Sequence, residues 1–144
     1  MKFPEIMMSK IPVSLREFLE SRGFTCIAAT YDEANFGDIV LDCTDSDLII
    51  RVVKDRMQVF VDIANAQKPD EWHMLPDLIT FLGGVDSQVE YIEQEQLASQ
   101  LKAHYQDIKE LLTGANARRV DLRQFEEKRR EATFTAMLTT IKPS

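Results

Sequence analysis

The chain has 144 residues, a formal net charge of −7 and a sequence pI of about 4.8. This length is typical of one domain that buries a core of its own. The acidic balance argues against binding nucleic acid or anionic membranes, and no stretch approaches the roughly 20 apolar residues of a membrane span. The pattern of the opening residues predicts no secretory signal. We therefore expect a cytoplasmic protein in which Cys26 and Cys43 are reduced and buried.

The first predicted element is a helix from about Leu15 to Arg22. Ser14 and Glu17 have the spacing of a capping box, in which each side chain bonds the other's backbone N–H. Gly23 follows as the expected stop signal.

The next forty residues predict a four-stranded antiparallel meander. Alternating or continuous apolar positions indicate the strands, and short polar loops join them. The connection between the third and fourth strands is the dipeptide Asp55-Arg56. The predicted strands are 24–31, 38–43, 48–53 and 57–63.

The rest of the chain is predicted to be helical. A short helix over residues 76–82 is followed by a long helix over residues 88–112, and another begins at Asp121. The last two helices are expected to pair as an antiparallel hairpin. The sequence thus predicts a single α+β domain over residues 1–144, with helix, sheet and short helix in 1–86 and a helical hairpin in 87–144.

Candidate catalytic and metal-binding residues are few. His73, beside the acidic strands, could act as a general base in a divergent enzyme, although a packed histidine at a helix start is the commoner structure. Asp42, Asp45 and Asp47 could supply oxygen ligands to Ca²⁺ or Mg²⁺, but a solvated turn whose aspartates bond their own backbone is the commoner structure. We therefore predict no catalytic residue, no metal and no cofactor.

Charge is distributed unevenly along the chain. Residues 1–86 hold eight Lys/Arg and fifteen Asp/Glu, whereas residues 87–144 hold nine of each. The basic groups at Arg118-Arg119 and 128–130 have acidic neighbours and are interpreted as a solvated face. An acidic patch could attract a basic partner or serve solubility alone. The predicted partner-binding residues are Asp32, Glu33, Asp38, Asp42, Asp45 and Asp47.

The segment 48–63, followed by Trp72, resembles a widespread group of small bacterial proteins, most of them uncharacterised. They share a strand, an Asp-Arg turn, a strand ending in Phe-Val-Asp-Ile, and a tryptophan before a short helix; here the turn is Asp55-Arg56. The resemblance covers about residues 14–83, and Met57 stands where that group often has glycine. Some members look like immunity proteins encoded beside polymorphic or contact-dependent toxins.

The resemblance implies an α+β sheet with flanking helices, no cofactor and no catalysis. It implies structural roles for Asp55 and Arg56 in the turn and for Trp72 as an aromatic anchor, and Arg56 could reach a carboxylate such as Asp62. The leading hypothesis is a protein-binding module, such as an immunity protein that covers a basic toxin domain. The alternative is a structural or regulatory homo-oligomer, such as a homodimer, formed through the C-terminal helices.

Overall fold

The computed structural model describes residues 9–32, 38–83, 89–114 and 118–141, and within them the chain is an α+β protein. The four helices are α1 (Val13–Ser21), α2 (Leu75–Gly83), α3 (Leu97–Thr113) and α4 (Arg118–Ile141), with a 3₁₀ turn at Gln94–Gln96. The strands are β1 (Thr25–Asp32), β2 (Asp38–Thr44), β3 (Leu48–Asp55), β4 (Gln58–Asn65) and β5 (His73–Met74).

The sheet has five strands rather than the four predicted. Its order is β1-β2-β3-β4-β5, and every neighbouring pair is antiparallel. The additional strand, β5, consists of His73 and Met74, which pair with Ile63 and Asp62 of β4. Two residues are too few to show an alternating pattern, so no local pattern predicts this strand.

The core lies on one face of the sheet, beneath α1 and α3. On β2, for example, Ile39, Leu41 and Cys43 are buried on this face, while Asp38 and Asp42 occupy the opposite face, called here the outer face. Each fully buried Leu or Ile contributes roughly 1.5–3 kcal/mol to folding. Asn65, at the end of β4, donates a 2.8 Å hydrogen bond to the Leu112 carbonyl, which ties the sheet to the end of α3.

Three helix starts differ from the prediction, and one of them is that of α4, which begins at Arg118 rather than at Asp121. Helix α1 begins at Val13, and Pro12 occupies the N-cap position without a side-chain hydrogen bond. The predicted capping box is therefore wrong, because Ser14 already lies inside the helix. Helix α3 begins at Leu97 rather than near residue 88. At Val89 the chain is bonded to α2 instead, because the Thr80 hydroxyl accepts a 2.9 Å hydrogen bond from the Val89 N–H.

The chain divides into two compact units, Met1–Gly114 and Ala115–Ser144. The first contains the whole sheet and α1–α3. The second contains α4, which at 24 residues is about 36 Å long. The antiparallel pairing of α3 with α4 stays a prediction. None of the helices in the described ranges is both long and apolar enough to cross a membrane.

Candidate functional site

The six predicted partner-binding acids do not form one patch. Asp32 and Asp38 face each other across β1 and β2 at one end of the hairpin, whereas Asp45 and Asp47 lie in the turn beyond the other end of β2. The seven residues of β2 separate these ends by about 20 Å. Asp42 lies between them on the outer face, and Glu33 falls outside the described residues.

Asp42 is held by a bidentate ion pair. Arg51, its register partner on β3, donates from Nε to Oδ1 at 2.8 Å and from Nη2 to Oδ2 at 3.0 Å. The guanidinium also stacks on the Trp72 ring, 4.1 Å from its centroid. The planar fork of arginine suits both contacts, so the tryptophan anchors the outer face through Arg51.

Asp62 continues the row of register partners Asp42 and Arg51 onto the next strand, β4. It is the register partner of Arg51 on β4, so the cation nearest to it in the sheet is Arg51 rather than the expected Arg56. Burial raises the pKa of Asp62; Arg51 acts in the opposite direction, and the neighbouring Asp77 raises the pKa further. Because the Arg51 guanidinium donates two hydrogen bonds to Asp42, it compensates the negative charge of Asp62 only in part.

The turn between β2 and β3 is fixed by Asp45. Its Oδ1 accepts hydrogen bonds from the backbone N–H groups of Asp47 at 3.0 Å and Leu48 at 2.9 Å. Its Oδ2 accepts from the Tyr105 hydroxyl and from Lys109 Nζ at 3.4 Å, both on α3. Lys109 Nζ also pairs with Asp47 at 2.8 Å. These bonds fasten the acidic turn to α3.

The pKa values in this cluster follow from the same contacts. Burial acts to raise the pKa of Asp45, but the hydrogen bonds from Tyr105, Leu48 and Asp47, together with the charge of Lys109, outweigh it and hold the pKa below its ordinary value. Burial and the bond to Asp45 raise the pKa of Tyr105 to about 12. The hydrogen bond with Asp47 chiefly raises the pKa of Lys109. At neutral pH the Asp45 carboxylate is therefore ionised and Lys109 is protonated, so the two side chains attract each other.

Asp38 and Arg56 meet at the opposite end of the sheet. Asp38 Oδ1 accepts a 2.9 Å hydrogen bond from the Arg56 backbone N–H. Arg56 has a φ of +58°, in the left-handed region, and precedes Met57 in the two-residue turn between Asp55 and Gln58. The strained residue is thus Arg56, one position before Met57, and the hydrogen bond to Asp38 stabilises its backbone conformation.

A small cavity, the β4 cavity, opens beside β4 near β5, with a volume of about 60 Å³. Its acidic lining residues are Asp62 and Glu90. Tyr91, 42% exposed, packs edge-on against Phe60 with ring centroids 6.2 Å apart. Among the residues that the structure describes, the lining consists of Val59, Phe60, Val61, Asp62, Met74, Pro76, Glu90, Tyr91, Ile92 and Leu97.

The other candidate residues lie elsewhere. His73 is buried on β5 and lines neither the β4 cavity nor a second cavity of about 350 Å³ between α1 and α3. No group of three potential metal ligands occurs within the described ranges. Cys26 and Cys43 are register partners on β1 and β2, and both are buried as expected. Burial raises the pKa of both thiols, that of Cys43 to about 12.

Sequence reasoning missed several residues of these sites. Tyr105 and Lys109 were assigned only to a helix, because their partner Asp45 lies 60 or more residues earlier in the chain. Met74 and Tyr91 carry no motif, and only the fold brings them to the β4 cavity. Their exposure is visible in the structure alone.

The chain was also compared with known proteins. Neither family models, nor curated proteins, nor solved structures gave a match.

Proposed function

We propose that this chain is a non-enzymatic protein-binding module whose partner presents a basic surface. The observation that carries the proposal is the charge of its first compact unit. Residues 1–114 hold twenty Asp/Glu and ten Lys/Arg, whereas residues 115–144 hold four Asp/Glu and seven Lys/Arg. Such a field attracts a basic protein and speeds its docking.

The contacts of the acidic side chains refine this proposal. Asp42, Asp45 and Asp47 are held by cations of the same chain, so they add to the long-range field while serving as structural ties. Direct pairing with a partner falls to acids at other positions of the same unit. Exposed examples are Asp70 on the loop after β4 and Asp107 on α3.

In biological terms, we propose an immunity protein of the bacterial cytoplasm that covers a basic toxin domain. The support for this form is the resemblance of residues 48–63 and Trp72 to proteins of that kind. A toxin gene directly beside the gene for this chain would support it, and purified toxin that this chain neither binds nor neutralises would contradict it.

Affinity capture from native lysate tests the binding function. We expect a stoichiometric partner of basic pI that is retained at about 50 mM salt and released at about 500 mM, because the screening length falls several-fold over that range. Neutralising Asp70 and Asp107 to Asn should weaken retention, whereas the matched changes Glu127→Gln and Glu131→Gln on α4 should not. No stoichiometric partner at low salt, or retention that is insensitive to salt, would overturn the proposal.

A second candidate function is self-association through α4. Phe134, Met137 and Leu138 are 62%, 56% and 56% exposed, and their spacing places them on one side of the helix. Every residue from 130 to 138 is exposed. Such a stripe is typical of a helix that pairs with another helix.

Light scattering over a concentration series tests this second candidate. A homo-oligomer should give twice the monomer mass or more, and the double change Phe134→Ser and Leu138→Ser should return it to monomer. Val120→Ser is the matched control, since Val120 is an equally exposed apolar residue of the same helix. A monomer at the highest concentration reached would exclude self-association as the function.

A further inference from the structure

The β4 cavity combines features that distinguish an interaction site from ordinary surface. Two of the large apolar side chains that are exposed in this protein, Met74 at 50% and Tyr91 at 42%, line it together. Methionine and tyrosine are enriched where proteins meet. Ligand pockets for small molecules usually measure about 300–1,000 Å³, so a cavity of about 60 Å³ suits one side-chain group instead.

The charge of the cavity indicates which side chain. Within the described part of the chain, its ionisable lining residues other than tyrosine are Asp62 and Glu90, and both are acidic. Asp62 is half-buried, and Arg51, the cation acting on it, is engaged by Asp42. Burial raises the pKa of Asp62 more than the charge of Arg51 lowers it, so a cation placed in the cavity would favour the ionised carboxylate.

We propose that the β4 cavity seats one arginine side chain of the basic partner, with the guanidinium at Asp62 and the methylene groups against Phe60 and Tyr91. Arginine fits better than lysine because its planar fork matches a carboxylate and stacks on aromatic rings. The inference rests on the proposed function, since it assumes a partner with basic residues. It goes further by naming the place where one of those residues binds.

NMR titration of the full chain with N-acetyl-arginine amide tests the site directly. We expect saturable shifts of the Asp62, Met74 and Tyr91 signals with a dissociation constant of about 1–10 mM, as a ligand of this size allows. The neutral analogue N-acetyl-citrulline amide should bind at least about tenfold more weakly, because the charge-assisted hydrogen bond is lost.

Two variants and a control sharpen the test. Asp62→Asn should weaken arginine binding about tenfold, and Tyr91→Leu, a change at an exposed position, should weaken it severalfold. The control Glu17→Gln removes an acid from the second cavity and should change nothing. Unshifted β4-cavity signals, equal binding of the citrulline analogue, or equal binding by Asp62→Asn would each overturn the proposal.

The titration is independent of the lysate capture, so the two ideas can fail separately. Saturable arginine binding in a chain that captures no partner would uphold the cavity and overturn the protein-binding function. A basic partner captured equally by wild-type protein and Asp62→Asn would uphold that function and overturn the cavity as its arginine seat.

Discussion

The bond between Tyr105 and Asp45 offers the sharpest test of how the acidic turn is held. Tyr105→Phe removes the hydroxyl and keeps the ring, which packs edge-on against Phe18 and Phe24 with centroids 5.9 and 6.0 Å away. The change therefore isolates one hydrogen bond between a side chain on α3 and a carboxylate in the turn between β2 and β3.

The expected loss is about 1.5 kcal/mol at neutral pH. A hydrogen bond to a charged group contributes about 1.5–3 kcal/mol, and the lower end applies because Asp45 keeps Lys109 and the N–H groups of Asp47 and Leu48. The Asp45 pKa is lowered in the folded state, so its stabilisation is present above the unfolded pKa and is lost as pH falls through the folded pKa. The mutational loss should therefore shrink from about pH 5 downward.

Urea unfolding at a series of pH values from 7 to about 3 measures both quantities. Tyr91→Phe is the control, because Tyr91 is exposed and its hydroxyl should contribute little. A loss below about 0.5 kcal/mol at pH 7, or a loss that does not decrease on acidification, would refute the assigned role of the bond.

Three further predictions concern the sheet. Arg51→Met keeps the aliphatic stem but leaves Asp42 without its cation, and should lower the free energy of unfolding by about 2 kcal/mol; no loss in calorimetry or urea unfolding would count against the pair. Cys26 and Cys43 should react slowly with a thiol reagent at pH 8 and rapidly once the protein is unfolded, because burial raises both pKa values; fast labelling of the native protein would contradict this. Ser46 has a φ of +79°, so Ser46→Gly should be neutral or slightly stabilising, whereas Ser46→Val should cost about 1–2 kcal/mol; equal stabilities would be inconsistent with that backbone conformation.

The sequence predicted those parts of the fold that local patterns encode. Alternation along β4 distinguished buried Val59, Val61 and Ile63 from the outer face, and the same pattern placed Asp38 and Asp42 together on that face. Each of these inferences needed only a few consecutive residues. Strand β5 was not predicted, because a strand of two residues is too short to show an alternating pattern.

The candidate sites depended on register and on distant contacts, which local patterns do not contain. The acidic residues were visible in the sequence, but the pairing of Asp42 with Arg51 requires the alignment of β2 on β3. The contact of Asp45 with Tyr105 joins a turn to a helix 60 residues later. A run of acids therefore indicated the charge of the surface, while only the fold shows which members are already paired.

Carbodiimide cross-linking of the captured complex tests the central claim most directly, because this reagent joins carboxylates to lysines that are in contact. A basic partner docked on the acidic unit should give cross-links from carboxylates within residues 1–114 to partner lysines. Their yield should fall as salt is raised. Cross-links confined to the carboxylates of α4, or formed only between copies of this chain, would contradict the claim that residues 1–114 bind a basic protein.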